Sequence, residues 1–161
     1  DVVVLAKGIG GYGTPLAVCL VKPERDVWAP GEHTGTFRGQ NLSFVAGAAA
    51  LDYFEDDGFC AEVRRKGART DERLRKLIAR HGELGAHVRS KGMIHGLDVG
   101  EGSLASRISR EAFERGLLIA PCGPGGRVVK VITPLTIEES DLEEGLDLLE
   151  AAVDAAKRAE A

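Results

Sequence analysis

Apolar residues form two short, unbroken runs near the start of the chain, at residues 2–6 and 16–21. Runs of this length that are rich in β-branched residues predict strands buried on both faces, as in a parallel sheet. A cluster of glycines between residues 8 and 13 separates the two runs. We therefore expect residues 1–50 to be the end of a parallel-strand domain.

Residues 23–40 show neither helical nor strand periodicity and contain several prolines and glycines. The same segment carries Val27, Trp28 and Phe37, which a solvated linker does not need. We therefore predict an ordered loop. After it, Asn41 is a typical helix cap, and the alanine-rich residues 42–51 favour a helix. That helix would place Leu42, Val45 and Ala49 on one face.

A longer, charged helix is predicted from about residue 59 to residue 80. Leu74, Leu77 and Ile78 would form its buried stripe, and His81 with Gly82 would end it. Because the first half of this segment is nearly all polar, we expect that half to lie on the surface.

From residue 87 onward, short strands alternate with amphipathic helices. Strands are predicted at residues 87–90, 93–99, 117–120 and 127–132. Helices are predicted at residues 103–116, where Ser103 is the cap, and at residues 138–159. This order predicts a small α+β domain in the second part of the chain.

The charge and cysteine content of the chain exclude several classes of protein. With 25 acidic and 21 basic residues among 161, the formal net charge is −4. A nucleic-acid-binding protein shows a basic stripe instead, so no nucleic-acid partner is expected. No apolar run approaches the ~18 residues that span a bilayer, so no membrane partner is expected either. Three scattered cysteines indicate reduced thiols in a cytoplasmic protein.

The start of the chain is unusual. It begins with Asp1, and its first apolar run starts at residue 2. The length suits one ordinary domain or a large piece of a bigger protein. We expect these residues to be the trailing part of a longer polypeptide.

Residues 8–13 match the G-x-G-x-x-G pattern of dinucleotide-binding proteins. That function requires a helix to open inside the motif and a second strand to end in an acidic residue. Here the following run is short and is closed by Lys22 and Pro23, and Glu24 and Asp26 fall in the loop. The motif therefore favours nicotinamide nucleotide binding only weakly.

Lys7 is the one charged residue between residues 2 and 21 and comes directly after a predicted strand. It is either an ordinary lysine that leaves the sheet for solvent or a desolvated amine. Burial disfavours the ammonium form, so a desolvated lysine is a nucleophile that can form a Schiff base. The neighbouring glycines would leave room for a flat cofactor.

The polar, glycine-rich residues 33–39 could hold a phosphate through a hydroxyl and backbone N–H groups, although most such segments are simply loops. The four histidines and three cysteines have no metal-ligand spacing, so no metal site is expected.

Four segments together resemble a known family. They are AKGIGGYGTP at residues 6–15, DVWAPGEHTGTFRGQN at 26–41, FERGLL at 113–118 and PLTI at 134–137. The chain is similar along its whole length to the class III, pyridoxal-phosphate-dependent aminotransferases of fold type I. Within that family it resembles the members that make 2,4-diaminobutyrate for ectoine synthesis.

The resemblance implies an α/β fold with two parts. Residues 1–54 would be the C-terminal part of the cofactor-binding large domain, and residues 55–161 would be a small α+β C-terminal domain that closes over the substrate. Lys7 would be the Schiff-base lysine that holds pyridoxal 5'-phosphate and then moves the substrate proton. Thr36 would bind the cofactor phosphate across the interface of a homodimer with a shared active site.

The chain departs from the family pattern at several positions. Gln40 and Asn41 stand where Asn-Pro is common, and Lys130 stands where many members have an arginine for the substrate carboxylate. A lysine binds a carboxylate as a point charge and not as a bidentate fork, so Arg127 is an alternative ligand. The family's phosphate cradle, ring-stacking aromatic residue and pyridine-binding aspartate would precede Asp1. These 161 residues alone are therefore not expected to be a competent enzyme.

The implied reaction transfers an amino group from glutamate to the amino-aldehyde precursor aspartate 4-semialdehyde, which gives 2,4-diaminobutyrate and 2-oxoglutarate. Two alternatives stay open: an aminotransferase of the ornithine or 4-aminobutyrate type, and a non-catalytic fragment that serves as an assembly partner. The expected location is the cytoplasm.

Overall fold

The computed structural model describes residues 1–11, 13–82 and 85–158. The chain divides into two compact units, Asp1–Cys60 and Ala61–Ala161. Each unit is built around its own sheet.

The first unit contains a two-stranded antiparallel sheet. Strand β1, Val2–Ala6, pairs with β2, Ala17–Val21, so that Val2 lies opposite Val21. The two predicted strands are confirmed, but the expectation of parallel strands buried on both faces is wrong for this chain. Every residue of β1 is exposed, because a two-stranded ribbon leaves both faces open unless another layer covers them.

Short 3₁₀ turns follow both strands, at Lys7–Gly10 and Pro23–Arg25. From residue 26 to residue 40 the chain has no helix or strand, as predicted. The apolar side chains of this segment are nevertheless exposed, and Phe37 is 98% exposed. The loop is held by polar contacts, which are described with the site below.

Helix α1, Asn41–Asp52, forms where it was predicted, although Gln40 and not Asn41 is the cap residue. The face that carries Leu42 and Val45 is not the buried one, because these two side chains are exposed while Ser43 and Gly47 are buried. Gly47 faces the Leu16 side chain so closely that an added Cβ would collide with it. Small residues therefore form the buried face of α1, since they let the helix backbone approach its neighbours.

The second unit is a four-stranded antiparallel sheet with helices. Helix α2 spans Gly58–Arg80 and starts in the last residues of the first unit. The elements that follow are β3 (His87–Lys91), β4 (Ile94–Asp98), α3 (Gly102–Glu114), β5 (Ala120–Cys122), β6 (Val128–Ile132) and α4 (Glu139–Arg158). The strand order is β3-β4-β6-β5. The small α+β arrangement predicted from the pattern is confirmed.

Two details differ from the prediction. The segment 117–120 is not a strand except for Ala120, which starts β5, and Leu117 and Ile119 pack on the core instead. Ser103 lies inside α3, whose cap residue is Glu101. Residues 159–161 of the last predicted helix lie outside the described residues.

The core of the second unit contains the predicted stripes. Leu74 and Leu77 of α2 are buried, as are Ile108 of α3, Val129 of β6 and Leu149 of α4. These side chains belong to a single cluster that joins the three helices to the sheet.

The first half of α2 is not wholly at the surface, contrary to the prediction. Lys66, Gly67 and Thr70 are buried. The Lys66 ammonium donates to the carbonyl of Ile137, and Gly67 packs on the carbonyl of Gly92. Polar residues can be buried here because backbone carbonyls accept their hydrogen bonds.

Opposite charges line the contact between α2 and α4 and form an ion-pair ladder. Its pairs are Arg65 with Glu139, Arg69 with Glu143, Arg73 with Glu143, Asp147 and Glu150, and Arg80 with Glu150. The pairs advance together along both helices, so the two helices run in the same direction.

Candidate functional site

Lys7 begins the 3₁₀ turn that follows β1. Its φ of 61° makes it the one non-glycine residue with a positive φ among residues 1–11, 13–82 and 85–158. The left-handed conformation costs an L-residue roughly 1–2 kcal/mol. The turn is closed by the Gly11 N–H, which donates to the Gly8 carbonyl at 3.1 Å. Backbone strain of this kind concentrates at functional sites, and here it lies on the predicted nucleophile.

The side chain of Lys7 is exposed. The residues of this chain therefore do not supply the desolvation that one of the two interpretations of Lys7 requires. The cause is the open ribbon, because β1 exposes all of its residues and carries Lys7 at its end.

The glycine pattern at residues 8–13 does not open an α-helix. The described part of it forms the 3₁₀ turn, and the chain then enters β2 at Ala17. Tyr12, within the pattern, lies outside the described residues. A dinucleotide site needs a helix N-terminus at the pyrophosphate, so the nicotinamide alternative is wrong.

A self-contained loop follows β2, and we call residues 28–39 the threonine loop. Its first half is closed by the Trp28 and His33 rings, which stack with centroids 4.5 Å apart and planes 19° apart. Glu32 closes the same turn, because its carboxylate accepts from the Ala29 N–H at 2.8 Å.

Arg38 closes the second half of the threonine loop. Its guanidinium donates to the carbonyls of His33 at 3.2 Å and Thr34 at 2.7 Å, and lies 2.9 Å from His33 Nδ1. Gly35 lies so close beneath Arg38 that an added Cβ would collide with the arginine side chain. The predicted ordered loop is therefore held mainly by one arginine.

Gly39 is the last residue of the loop, and two features of its position favour glycine. Its φ of 116° is disfavoured for any residue with a side chain, and an added Cβ would overlap the ring of Phe44. Thr36 stands between Gly35 and Phe37 and is exposed, so its hydroxyl is open to a ligand.

The end of the glycine-rich turn and the end of the threonine loop line one concave space of about 620 Å³. Pro15, Leu16 and Ala17 contribute one side, while residues 37–40 and Phe44 contribute the other. The structure thus brings the segments that follow Lys7 and Thr36 to a common cavity, without a direct contact between Lys7 and Thr36 themselves.

Lys130 lies on β6 in the second unit and is exposed on the face opposite the core. It stands opposite Gly96 on one side and Ala120 on the other, so small residues leave its side chain open. It also lines an apolar cavity of about 340 Å³ between β6 and α4.

Arg127, the alternative carboxylate ligand, is already engaged. Its guanidinium lies 3.2 Å from the carboxylate of Asp98, which is buried. Lys130 has no ion-pair partner within the described part of the chain. Of the two candidates, Lys130 is therefore the one with a charge available for a substrate.

Sequence reasoning identified Thr36 but missed the contribution of Arg38 and His33 to its loop. The available signal was the spacing, because Arg38 stands between Gly39 and the nearby Gly35 in a segment with no helical or strand period. An arginine that packs over a glycine stabilises a loop through local hydrogen bonds, and such an arrangement produces no hydrophobic periodicity in the sequence.

In the residues that the structure describes, no three histidine, cysteine, aspartate or glutamate side chains lie close enough to hold a metal ion. None of the described helices combines the length and apolar character that a membrane crossing requires.

Comparison with known proteins gives a consistent result. The family model for aminotransferase class-III matches residues 1–153. An uncharacterized aminotransferase of Sinorhizobium fredii, y4qG, is 50% identical over 154 residues, which are 95% of this chain and 34% of that protein. The diaminobutyrate–2-oxoglutarate transaminase of Halomonas elongata is 46% identical over 94% of this chain and 37% of that protein. The chain thus spans about a third of the length of these relatives.

Solved structures share the fold. An ornithine aminotransferase from Toxoplasma gondii superposes with a TM-score of 0.86 at 23% identity, covering 98% of this chain and 38% of that one. An acetylornithine aminotransferase from Elizabethkingia anophelis gives a TM-score of 0.82 at 26% identity, covering 96% of this chain and 41% of that one. The fold is that of a part of the fold type I aminotransferases, and the chain belongs to the class III aminotransferase family.

Proposed function

We propose that the natural protein containing this chain transfers an amino group from glutamate to aspartate 4-semialdehyde with pyridoxal 5'-phosphate. The observation that carries the proposal is Lys7, an exposed amine held in a left-handed turn at the end of β1. The substrate is proposed from the relatives, several of which are named diaminobutyrate–2-oxoglutarate transaminase and are 41–46% identical to this chain.

The donor chemistry of the two predicted cofactor residues fits this cofactor. Lys7 offers a primary amine for the aldehyde, and Thr36 offers a hydroxyl for the phosphate, both exposed. When bound, pyridoxal phosphate supplies an electron sink for the reacting carbon. Lys7 would hold the cofactor through its amine and, once released, move a proton at the substrate carbon.

We propose that Lys130 binds a substrate carboxylate. Its ammonium is exposed on β6, whereas the guanidinium of Arg127 is committed to Asp98. A lysine attracts a carboxylate as a point charge and imposes less orientation than an arginine fork. Replacement by arginine should therefore be tolerated by the site and should lower the KM for glutamate.

The proposed assembly is a cytoplasmic homodimer in which residues 1–54 belong to the large domain and residues 55–161 form the small domain. The exposed apolar side chains of the first unit, Phe37 and Leu42 among them, support a subunit contact there. Thr36 lies beside Phe37, so a partner seated on this surface would place the hydroxyl near a second active site.

Borohydride reduction of the natural protein followed by peptide mass mapping tests the cofactor assignment. The expected result is a pyridoxyl-phosphate adduct on Lys7, with no adduct and no turnover in Lys7→Ala. Lys22→Ala is the matched control, since Lys22 is an exposed lysine of the same unit. This variant should keep both the adduct on Lys7 and turnover. An adduct on another lysine, or full activity in Lys7→Ala, would refute the assignment.

Profiling of amino acceptors tests the substrate. With glutamate as donor, aspartate 4-semialdehyde should be turned over with a kcat/KM at least tenfold above the aldehydes derived from ornithine and 4-aminobutyrate. Preference for either of the other aldehydes would keep the aminotransferase class and replace the proposed substrate. Absence of turnover with a bound cofactor would favour the non-catalytic alternative.

Thr36→Ala tests the phosphate contact separately. Loss of one hydrogen bond to a charged phosphate should raise the dissociation constant of pyridoxal phosphate by about tenfold or more. Thr36→Ser keeps the hydroxyl and should bind nearly as the natural protein does. An unchanged dissociation constant in Thr36→Ala would remove Thr36 from the phosphate site.

A further inference from the structure

The arginine of the threonine loop makes an uncommon set of contacts. Arg38 directs its terminal nitrogens to two backbone carbonyls and to an imidazole nitrogen, all within six residues of chain. Its partners are therefore parts of the loop that carries Thr36.

The contact between Arg38 and His33 fits only one form of the imidazole. A guanidinium has only donors, so a hydrogen bond between Arg38 Nη2 and His33 Nδ1, which lie 2.9 Å apart, needs Nδ1 as the acceptor. The form of the ring that accepts at Nδ1 carries its proton on Nε2 and is neutral. The Trp28 ring stacks on the imidazole with their centroids 4.5 Å apart. This stacking orients the imidazole for its contact with Arg38.

We propose that Arg38 is a positioning residue for Thr36 and that the clamp it forms with His33 closes only while His33 is neutral. The proposal rests on the proposed role of Thr36 in phosphate binding. It makes the affinity for the cofactor phosphate sensitive to a proton taken up by a residue that does not touch the cofactor.

Protonation of His33 opens the clamp for two reasons. It replaces the acceptor at Nδ1 with a donor, so the hydrogen bond from Arg38 is lost. It also places an imidazolium charge beside the guanidinium charge. The other charged group near the ring is Glu32, its neighbour in the chain, whose carboxylate is directed to the Ala29 N–H. The Arg38 guanidinium is thus the group in contact with the ring that responds to its charge.

Glycine geometry supports the same assignment. Arg38 can reach His33 and Thr34 only because Gly35 has no side chain where the arginine stem passes. Because the Arg38 side chain passes over Gly35, its hydrogen bonds join residues 33 and 34 to residue 38. They therefore fix the backbone on both sides of Thr36.

The test measures equilibrium binding of pyridoxal 5'-phosphate and of pyridoxal, which lacks the phosphate, to the natural protein and its variants. Arg38→Met removes the donors and should weaken pyridoxal phosphate binding about tenfold, while pyridoxal binding changes less than about twofold. Arg25→Met is the matched control, an exposed arginine of the same unit that pairs with Asp1, and it should bind both as the natural protein does.

The pH dependence separates the clamp from a merely structural role. The second ionisation of the cofactor phosphate, with a pKa of about 6, gives every variant a common pH dependence between pH 8 and pH 5. His33→Asn places an amide oxygen near the position of Nδ1 and does not titrate, so it should show this common dependence alone. Over the same range the natural protein should lose about tenfold more phosphate-dependent affinity than His33→Asn. Arg38→Met should behave as His33→Asn does, because no clamp remains to open.

A readout without cofactor is provided by Trp28, the single tryptophan of the 161 residues. The fluorescence difference between the natural protein and Trp28→Phe isolates its emission. That emission should change with pH at the same midpoint as cofactor affinity, and the change should be absent in His33→Asn. Far-ultraviolet circular dichroism shows whether each variant is folded.

The outcomes distinguish the clamp from the phosphate assignment. If Thr36→Ala leaves phosphate-dependent affinity unchanged, the proposed role of Thr36 is wrong and the positioning role of Arg38 falls with it. If Thr36→Ala weakens binding but Arg38→Met does not, only the clamp is overturned. An affinity and a Trp28 emission that follow pH equally in the natural protein and in His33→Asn overturn the dependence on His33.

Discussion

The two compact units differ in how far their apolar side chains are buried. In the second unit, residues such as Leu77, Ile108 and Leu149 are almost completely buried. In the first unit, Val4 is 71% exposed and Phe37 is 98% exposed, and the buried positions on α1 are occupied by small residues. Hydrophobic periodicity therefore predicts burial only where the covering surface belongs to the same residues. The apolar side chains of the first unit are left exposed by these residues.

The largest expected difference comes from truncating one buried and one exposed aliphatic side chain. Leu149→Ala should lower the free energy of unfolding by about 2–5 kcal/mol, because it leaves a cavity in the core of the second unit. Val4→Ala should change it by less than about 0.5 kcal/mol in the 161-residue chain, since the Val4 side chain is largely exposed. Denaturant unfolding measures both values.

The same two variants, made in the natural protein, test whether the apolar residues of β1 are covered there. If another layer covers β1 there, Val4→Ala should cost about 1–3 kcal/mol, while the cost of Leu149→Ala stays the same. If Val4→Ala were neutral both in the 161-residue chain and in the natural protein, the interpretation that the apolar residues of β1 become buried would be contradicted.

The next largest effect separates two glycines inside helices of the second unit. Gly67→Ala should destabilise by about 1–3 kcal/mol, because the new Cβ would collide with the carbonyl of Gly92. Gly145→Ala is the matched control on α4, where the nearest atom, on Leu117, lies 3.8 Å from the added Cβ. It should stabilise by about 0.5–1 kcal/mol through helix propensity. Equal effects of the two changes would show that α2 does not pack closely on the turn at Gly92.

The same contrast explains what the sequence could predict. The strands, the long helices and the stripe of Leu74 and Leu77 follow from periodicity, and the structure has them. Gly67 was missed because a glycine among polar residues carries no hydrophobic signal, although it allows a close contact between α2 and the turn at Gly92.

The candidate site shows the same limit. Lys7 and Thr36 could be identified by residue type and resemblance, because an isolated lysine at a strand end and a threonine between glycines are visible in the sequence. The left-handed turn at Lys7 and the clamp from Arg38 to His33 are backbone and local polar contacts. Neither has a period that a sequence pattern can reveal.

A smaller effect is expected from the ion-pair ladder between α2 and α4. Arg73 is only 15% exposed and contacts three carboxylates, so Arg73→Met should cost about 1–2 kcal/mol, because Asp147 loses its ladder partner and Glu143 and Glu150 keep one cation each, Arg69 and Arg80. Arg75→Met is the control, because Arg75 is exposed and pairs with Asp71 alone. Thermal unfolding should show a clearly smaller change for the control. If both changes were neutral, the ladder would contribute specificity of packing and no stability.

The smallest expected effect is the dependence of the second unit on acid. The Arg65 guanidinium lowers the pKa of Glu62 from 4.5 to about 2, and it also lowers the pKa of Glu139. Arg69 lowers the pKa of Glu143 in the same way. These carboxylates hold fewer protons in the folded state than in the unfolded state. Their stabilisation is therefore complete above about pH 4.5 and is lost as the pH falls toward 2.

Thermal unfolding between pH 6 and pH 2.5 measures this loss, and the contribution of Glu143 is the part that Glu143→Gln removes. Because the side chains of Glu62, Arg65 and Glu139 are exposed, added salt of about 1 M should weaken the pH dependence by screening. The hairpin of the first unit has no comparable ladder in its described residues, so the melting of the second unit should respond more strongly to both acid and salt. An acid response that is equal in Glu143→Gln and in the natural protein would show that Glu143 is not among the groups whose titration destabilises the fold.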